Sequence, residues 1–216
     1  MRESKKKRFS FGKLSMVLGL LLILGAAGLF GYNMWLDSQA SLESEQAAMT
    51  LADEIQNSDV TVLEMDVTDV GESEEEEPSE ELLKVAELDG AYYMGVLTIP
   101  TLERILPVQS DWSMTKLKKS PCRYSGSLAD GEFVIAGHNY KKHFSGLANL
   151  AQGESIIFTD IEGNQTFYEV REIYTVQATD IEGMVNSGYD LSLFTCNYGG
   201  KARITVRCDK VDVPAA

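Results

Sequence analysis

Twenty-three consecutive residues without a charge, Leu14 to Leu36 (LSMVLGLLLILGAAGLFGYNMWL), restrict this chain more than any other stretch. As a helix they reach about 34 Å, enough to cross a hydrocarbon core of about 30 Å. Lys5, Lys6, Lys7 and Arg8 precede the run, which keeps the N-terminus in the cytoplasm. Tyr32 and Trp35 lie near the far end, where interfacial aromatics belong. A cleaved signal peptide is the competing reading. The run is long for such a segment, and no clear small-residue cleavage site follows it. The expectation is an uncleaved, single-pass signal anchor in the cell membrane, with residues 37–216 on the extracellular face.

Charge then divides the rest. Residues 1–13 carry six basic residues and one acidic. Residues 37–90 carry eighteen acidic residues and one lysine, so the net charge of −14 originates there. Leu42, Met49, Ala52 and Ile55 recur at roughly helical spacing, which predicts a short, weakly amphipathic helix over 37–56. The run Glu74 to Glu77 and its polar surroundings predict a disordered spacer over 57–81. The remaining 126 residues, 91–216, are near neutral and large enough for one core. They carry no basic stripe with interleaved aromatics, so no nucleic-acid partner is expected. The expected organisation is a basic cytoplasmic segment (1–13), a membrane anchor (14–36), an acidic spacer (37–81) and a folded domain (82–216).

Within that domain the pattern is one of short β segments with turn punctuation. Ala91 to Ile99, Arg104 to Val108, Glu132 to Ala136, Ser155 to Thr159, Gln165 to Val176, Leu191 to Thr195 and Ala202 to Val211 read as strands. Ile161-Glu162-Gly163-Asn164 reads as a hairpin turn, and His143 to Leu150 as a short helix or helical turn. Seven or eight strands with brief helices predict an all-β barrel or sandwich.

The residues able to do chemistry are few. There are three cysteines, Cys122, Cys196 and Cys208, in no CxxC pair, and whether Cys122 and Cys208 join stays open. Side chains alternate along a strand, so Arg203, Thr205 and Arg207 share one face, and Ile204, Val206 and Cys208 the core face. Cys208 then packs as a small apolar residue. Cys196 ends its strand before a glycine-bearing turn, where a thiolate can reach solvent. If that strand pairs with the next, Arg203 comes beside Cys196, where a guanidinium stabilises a thiolate or an oxyanion. Of two histidines, His138 follows the strand EFVIA and a glycine, whereas His143 reads as a surface or helix-start residue. A Cys196, His138, Arg203 site is therefore the expected catalytic set.

Three strings occur in order: FVIAGHN (Phe133 to Asn139), LSLFTC (Leu191 to Cys196) and RITVR (Arg203 to Arg207). With the weaker GVLTIPTLERILPV (Gly95 to Val108), they resemble the sortase family of Gram-positive surface transpeptidases over about residues 91–211. The resemblance implies a closed sortase-type barrel of seven to eight strands. It implies that Cys196 attacks a sorting-signal peptide to give a thioacyl-enzyme, with His138 as acid and base and Arg203 on the oxyanion. Thr195 and Asn139, beside the cysteine and the histidine, are the implied substrate-binding residues. Arg207 follows the family's catalytic arginine and is given no such role. Implied partners are an LPxTG-like sorting signal and a cell-wall precursor or other amine acceptor.

The short connection before Leu191 has no room for the long helix of class B, so a class D-like or housekeeping-like enzyme is favoured. Asn139 keeps class B open. Asp111-Trp112 is similar to the lid dipeptide of the pilin-polymerising class, but it follows Val108 and reads as an ordinary loop. No acidic cluster matches the family's calcium site, so no metal and no cofactor are expected. Three rivals stand against this reading: another anchored cysteine peptidase or an L,D-transpeptidase, the latter lacking its SHGC-type string; a zinc site from His138, His143, Cys196 and Cys208, which the lack of close ligand spacing makes poor; and a non-catalytic surface β-domain.

Overall fold

The computed structural model describes residues 11–65, 82–129, 131–196 and 200–212. Helix α1 spans Phe11–Asn57, and the chain divides within it into two units, Met1–Gln39 and Ala40–Ala216. In the first unit, Gly12–Trp35 is helical, exposed, and of mean hydropathy 2.3, long and apolar enough to cross a membrane.

Among the described residues the second unit holds ten strands: β1 (Val62–Met65), β2 (Leu83–Leu88), β3 (Ala91–Ile99), β4 (Arg104–Gln109), β5 (Cys122–Ser127), β6 (Gly131–Gly137), β7 (Ser155–Asp160), β8 (Gln165–Gln177), β9 (Leu191–Cys196) and β10 (Ala202–Val211). They form one sheet in the order β1-β2-β3-β4-β5-β6-β9-β10-β8-β7, and β3 also pairs with β7. That last pairing closes β3 to β10 into an eight-stranded barrel, and β1–β2 extends one edge as a hairpin arm. Closure brings backbones close at Gly95, whose φ is +154° and where a Cβ would lie 2.3 Å from the Thr159 carbonyl oxygen. Only glycine tolerates that approach.

Period-two alternation gives the barrel wall two apolar faces. Phe133 and Ile135 of β6, Leu191 and Leu193 of β9, and Val206 and Cys208 of β10 fill the interior. Val134 and Ala136 of β6 and Phe194 of β9 point the other way, into a cluster with Tyr124, Leu117, Cys122 and Met184. Cys208 is thus in the core, as alternation along β10 predicts. Cys122 and Cys208 belong to different clusters and are both free thiols, so they do not pair.

The expected domain boundary at residue 82 does not match the compact unit, which begins at Ala40. The C-terminal part of α1 packs on the sheet. Leu51 is fully buried with Ala86, Tyr93, Val96 and Ile161, and Ala47 and Ile55 lie against them. The docking face is therefore Ser44, Ala48, Leu51 and Ile55, a spacing of four and three residues. Leu42 and Met49, expected on the apolar face, are exposed. Small side chains let the helix approach the strands, which larger ones at those positions would prevent. Val62–Met65, expected in the disordered spacer, is strand β1 paired with β2. Residues 66–81 of that expected spacer lie outside the described residues. Strands β2 and β5 are additional to the seven segments read from the sequence.

Truncating Leu51 leaves a cavity between α1 and the sheet, so Leu51→Ala should cost about 2–5 kcal/mol. The exposed neighbour Met49→Ala should stay within about 0.5 kcal/mol of the parent. Urea unfolding of the full chain in detergent, followed by tryptophan fluorescence, separates the two. Equal midpoints would show that the helix is not part of the cooperative unit.

Candidate active site

Three adjacent strands build the site. β6 and β9 run parallel, with Gly137 opposite Thr195 as their last register pair. Cys196 is the last residue of β9 and His138 the first after β6, so both follow that pair at adjacent strand ends. β9 and β10 run antiparallel, and their register pairs Arg203 with Cys196. Alternation puts Cys196 on the face of Phe194 and Arg203 on that of Thr205 and Arg207. Cys196 and Arg203 therefore leave the outer face of the wall side by side, at the strand end that His138 follows.

Arg203 Nη1 donates to Cys196 Sγ at 3.4 Å. Its Nη2 donates to the Ala178 carbonyl, also at 3.4 Å, and Cζ stands 5.1 Å from the Phe194 ring centroid. Phe194 meets Tyr124 edge-on at 5.1 Å, and Tyr124 meets Trp112 edge-on at 5.8 Å. This aromatic row floors the site beneath the guanidinium. Cys196 and Arg203 are both half-buried, which leaves the sulfur reachable. Residues 197–199, which follow Cys196, lie outside the described residues.

His138 is held from the other side. Its ring stacks on Tyr140 with centroids 4.6 Å apart and planes 24° apart, and its Nε2 is buried without a hydrogen-bond partner among the described residues. The carbonyl of His138 accepts the Phe144 N–H at 3.1 Å, which folds the following loop back under the strand end. Phe144 fills the space where a Cβ on Gly137 would come within 2.4 Å of its ring. Burial, helped by the Lys118 ammonium, holds the His138 pKa below the ordinary histidine value. The imidazole is thus favoured in its neutral, proton-accepting form.

The other thiols differ in kind. Burial pushes both Cys122 and Cys208 up to about 12, so neither supplies thiolate near neutral pH.

Two expectations are corrected by the structure. Thr195 faces the interior with Leu191 and Leu193 and is 1% exposed, so its side chain is turned away from the cleft and cannot line it. His143 is fully buried rather than at the surface, its ring tilted against Tyr140 at 5.4 Å. Asn139 is half-buried directly after His138. Trp112 is in the aromatic row, while Asp111 pairs with Lys116 within its own loop. Phe194 is not singled out by the sequence reading, although its place two residues before Cys196 on the same face is a signal that could find it. Tyr140 has no such signal, because it lies in a loop with no periodicity. Among the described residues no three His, Cys, Asp or Glu side chains converge.

A sortase-domain family profile matches residues 97–211, more than half of the chain. The chain belongs to the sortase family. That family consists of cysteine transpeptidases, and Cys196, His138 and Arg203 all fall in the matched region. No curated protein matches the chain. Among solved structures the chain is similar to sortase C1 of Streptococcus agalactiae, with a TM-score of 0.52 at 24% identity, over 59% of this chain and 72% of that one. It is similar to sortase C1 of Streptococcus suis, with a TM-score of 0.50 at 25% identity, over 57% and 75%. A third is Clostridium perfringens sortase C with the C-terminal cell wall sorting motif, with a TM-score of 0.50 at 23% identity, over 56% and 71%. The sortase barrel is thus the shared fold.

The depressed His138 pKa has a definite sign in stability. The unfolded chain takes up the proton first on acidification, so this contribution is full above pH about 6.5 and is lost as pH falls toward the lower folded value. His138→Gln should therefore lose less stability than the parent between pH 7 and pH 5. Parallel urea titrations at the two pH values measure the difference, and equal losses would refute it.

Proposed function

We propose that this sortase-family chain is a membrane-anchored transpeptidase that cleaves an LPxTG-like sorting signal and transfers the acyl group to a cell-wall amine. The single observation that carries the reading is the 3.4 Å contact from Arg203 Nη1 to Cys196 Sγ, with His138 directly after the neighbouring strand. The solved relative that holds a cell wall sorting motif supports the substrate class. The apolar helix Gly12–Trp35 supports the anchor, and the basic residues before it support an extracellular barrel. The connection between β8 and β9 carries only the one-turn helix α2 (Glu182–Val185), which supports the class D-like reading over class B.

The chemistry runs in two halves. Neutral His138 accepts the Cys196 thiol proton, and the thiolate attacks the scissile carbonyl carbon, forming a C–S bond. The oxyanion that develops accepts hydrogen bonds from the Arg203 guanidinium. Collapse breaks the C–N bond, and His138 returns its proton to the leaving amine. The thioacyl-enzyme then meets an incoming amine, whose proton passes to His138 as its nitrogen attacks. The second collapse forms the new amide and expels the Cys196 sulfur, which recovers the proton from His138.

Cys196→Ala should abolish turnover while leaving the unfolding free energy within about 0.5 kcal/mol of the parent. Arg203→Ala should lower kcat by about 10²–10³-fold, as expected for loss of an oxyanion donor. Mass spectrometry of the full chain with LPxTG-like and NPxTN-like peptides should show an acyl adduct on Cys196 with the former. Retained turnover in Cys196→Ala would sink the catalytic reading. An adduct formed only with the NPxTN-like peptides would replace the proposed signal.

A further inference from the structure

Arg207 lies one strand alternation beyond Thr205 on the face that carries Arg203, and it is fully buried. Its partners are all neutral. Nε donates to the Tyr174 hydroxyl at 3.0 Å, Nη1 to the Met184 carbonyl at 3.1 Å and to the Ser192 hydroxyl, and Nη2 to the Gly183 carbonyl at 2.5 Å. No carboxylate is among its hydrogen-bond partners in the described residues. A buried cation without an anion is costly, and an apolar side chain of similar volume would avoid that cost. A planar guanidinium can do what an apolar residue cannot: hold several acceptors at fixed angles.

Those acceptors have one thing in common. Gly183 and Met184 belong to the connection of residues 178–190 between β8 and β9, and Ser192 and Tyr174 lie on the strands that flank it. The connection begins at Ala178, whose carbonyl accepts Arg203 Nη2. Met184 also packs in the cluster that contains Phe194, the ring beneath Arg203. Two arginines on one face of β10 thus grip the same connection, one at its start and one at its helical turn.

We infer that Arg207 is a positioning residue: its buried guanidinium clamps the β8–β9 connection so that Ala178 and Phe194 hold Arg203 against Cys196. This rests on the reading of Cys196 and Arg203 as the reacting pair. Arg207 does not touch the reacting atoms. It acts by setting where the wall of the cleft stands.

The test compares Arg207→Met and Arg207→Lys with the parent and with Arg203→Ala, all as full chains in detergent. The first readout is amide hydrogen exchange at Met184, Val185 and Asn186, whose N–H groups close the helical turn. Both variants should exchange there faster by at least about tenfold, with the barrel strands unchanged. The second readout is the alkylation rate of Cys196 by iodoacetamide, which should move toward that of Arg203→Ala in both. The third is peptide turnover, where kcat should fall by about 10²-fold, more than KM changes. Arg207→Lys keeps the charge without the fork, so it carries the test if Arg207→Met fails to fold. Unchanged exchange, or faster exchange with parental alkylation, overturns the clamp. A parent that turns over no peptide refutes the proposed function, while the exchange and alkylation readouts still decide the role of Arg207.

Discussion

The structure depends on the register of three neighbouring strands. β6 and β9 are parallel and β9 and β10 antiparallel, with Gly137 opposite Thr195 and Arg203 opposite Cys196. Backbone hydrogen bonds set these pairings, and a slip of one residue would turn every side chain to the other face. In the observed register Cys196 and Arg203 emerge together on one side of the wall, at the strand end that His138 follows. In a slipped register, the cysteine would enter the core and Thr195 would take its place. The same ladder that holds the barrel together therefore determines whether the site exists.

The two faces of that wall serve different ends. Inside, tight packing around Phe133, Ile135, Leu193 and Val206 makes the register expensive to change. Outside, Phe194, Tyr124 and Trp112 give Arg203 an aromatic floor, and Tyr140 gives His138 one. Desolvation acts selectively. It raises the Cys122 and Cys208 thiols out of the useful range and lowers His138 into its neutral form, while Cys196 at a strand end stays half-exposed beside a cation. One chemical type, a thiol, has two fates decided by position along a strand.

The outer face also needs cover, and the chain supplies it from distant segments. The 178–190 connection lies against the site and is held by Arg207 and, at its far end, by Gly188 N–H donating to Glu132. The C-terminal part of α1 covers the sheet near Ala86, Tyr93 and Val96. Both covers are local in sequence but are stabilised by residues far along the chain, so neither shows a strong pattern of its own.

Alternation was legible wherever strands carried clear apolar and polar faces. β3 and β10 match the residues read as Ala91 to Ile99 and Ala202 to Val211, and the core position of Cys208 followed from parity alone. β5 was illegible because CRYSGS is polar and turn-like. It is a strand because pairing with β6, through two register shifts, satisfies its backbone. The docking face of α1 departs from its hydrophobic pattern: Leu42 and Met49 are exposed, whereas close packing selects Ser44 and Ala48. The sequence by itself determined the apolar helix and the seven periodic strands, since these follow from composition and period. Only the tertiary structure decided that Thr195 faces inward, that His143 is buried, that Tyr140 stacks on His138, and that Arg207 is buried against the 178–190 connection. Those facts depend on contacts between segments that no local period encodes.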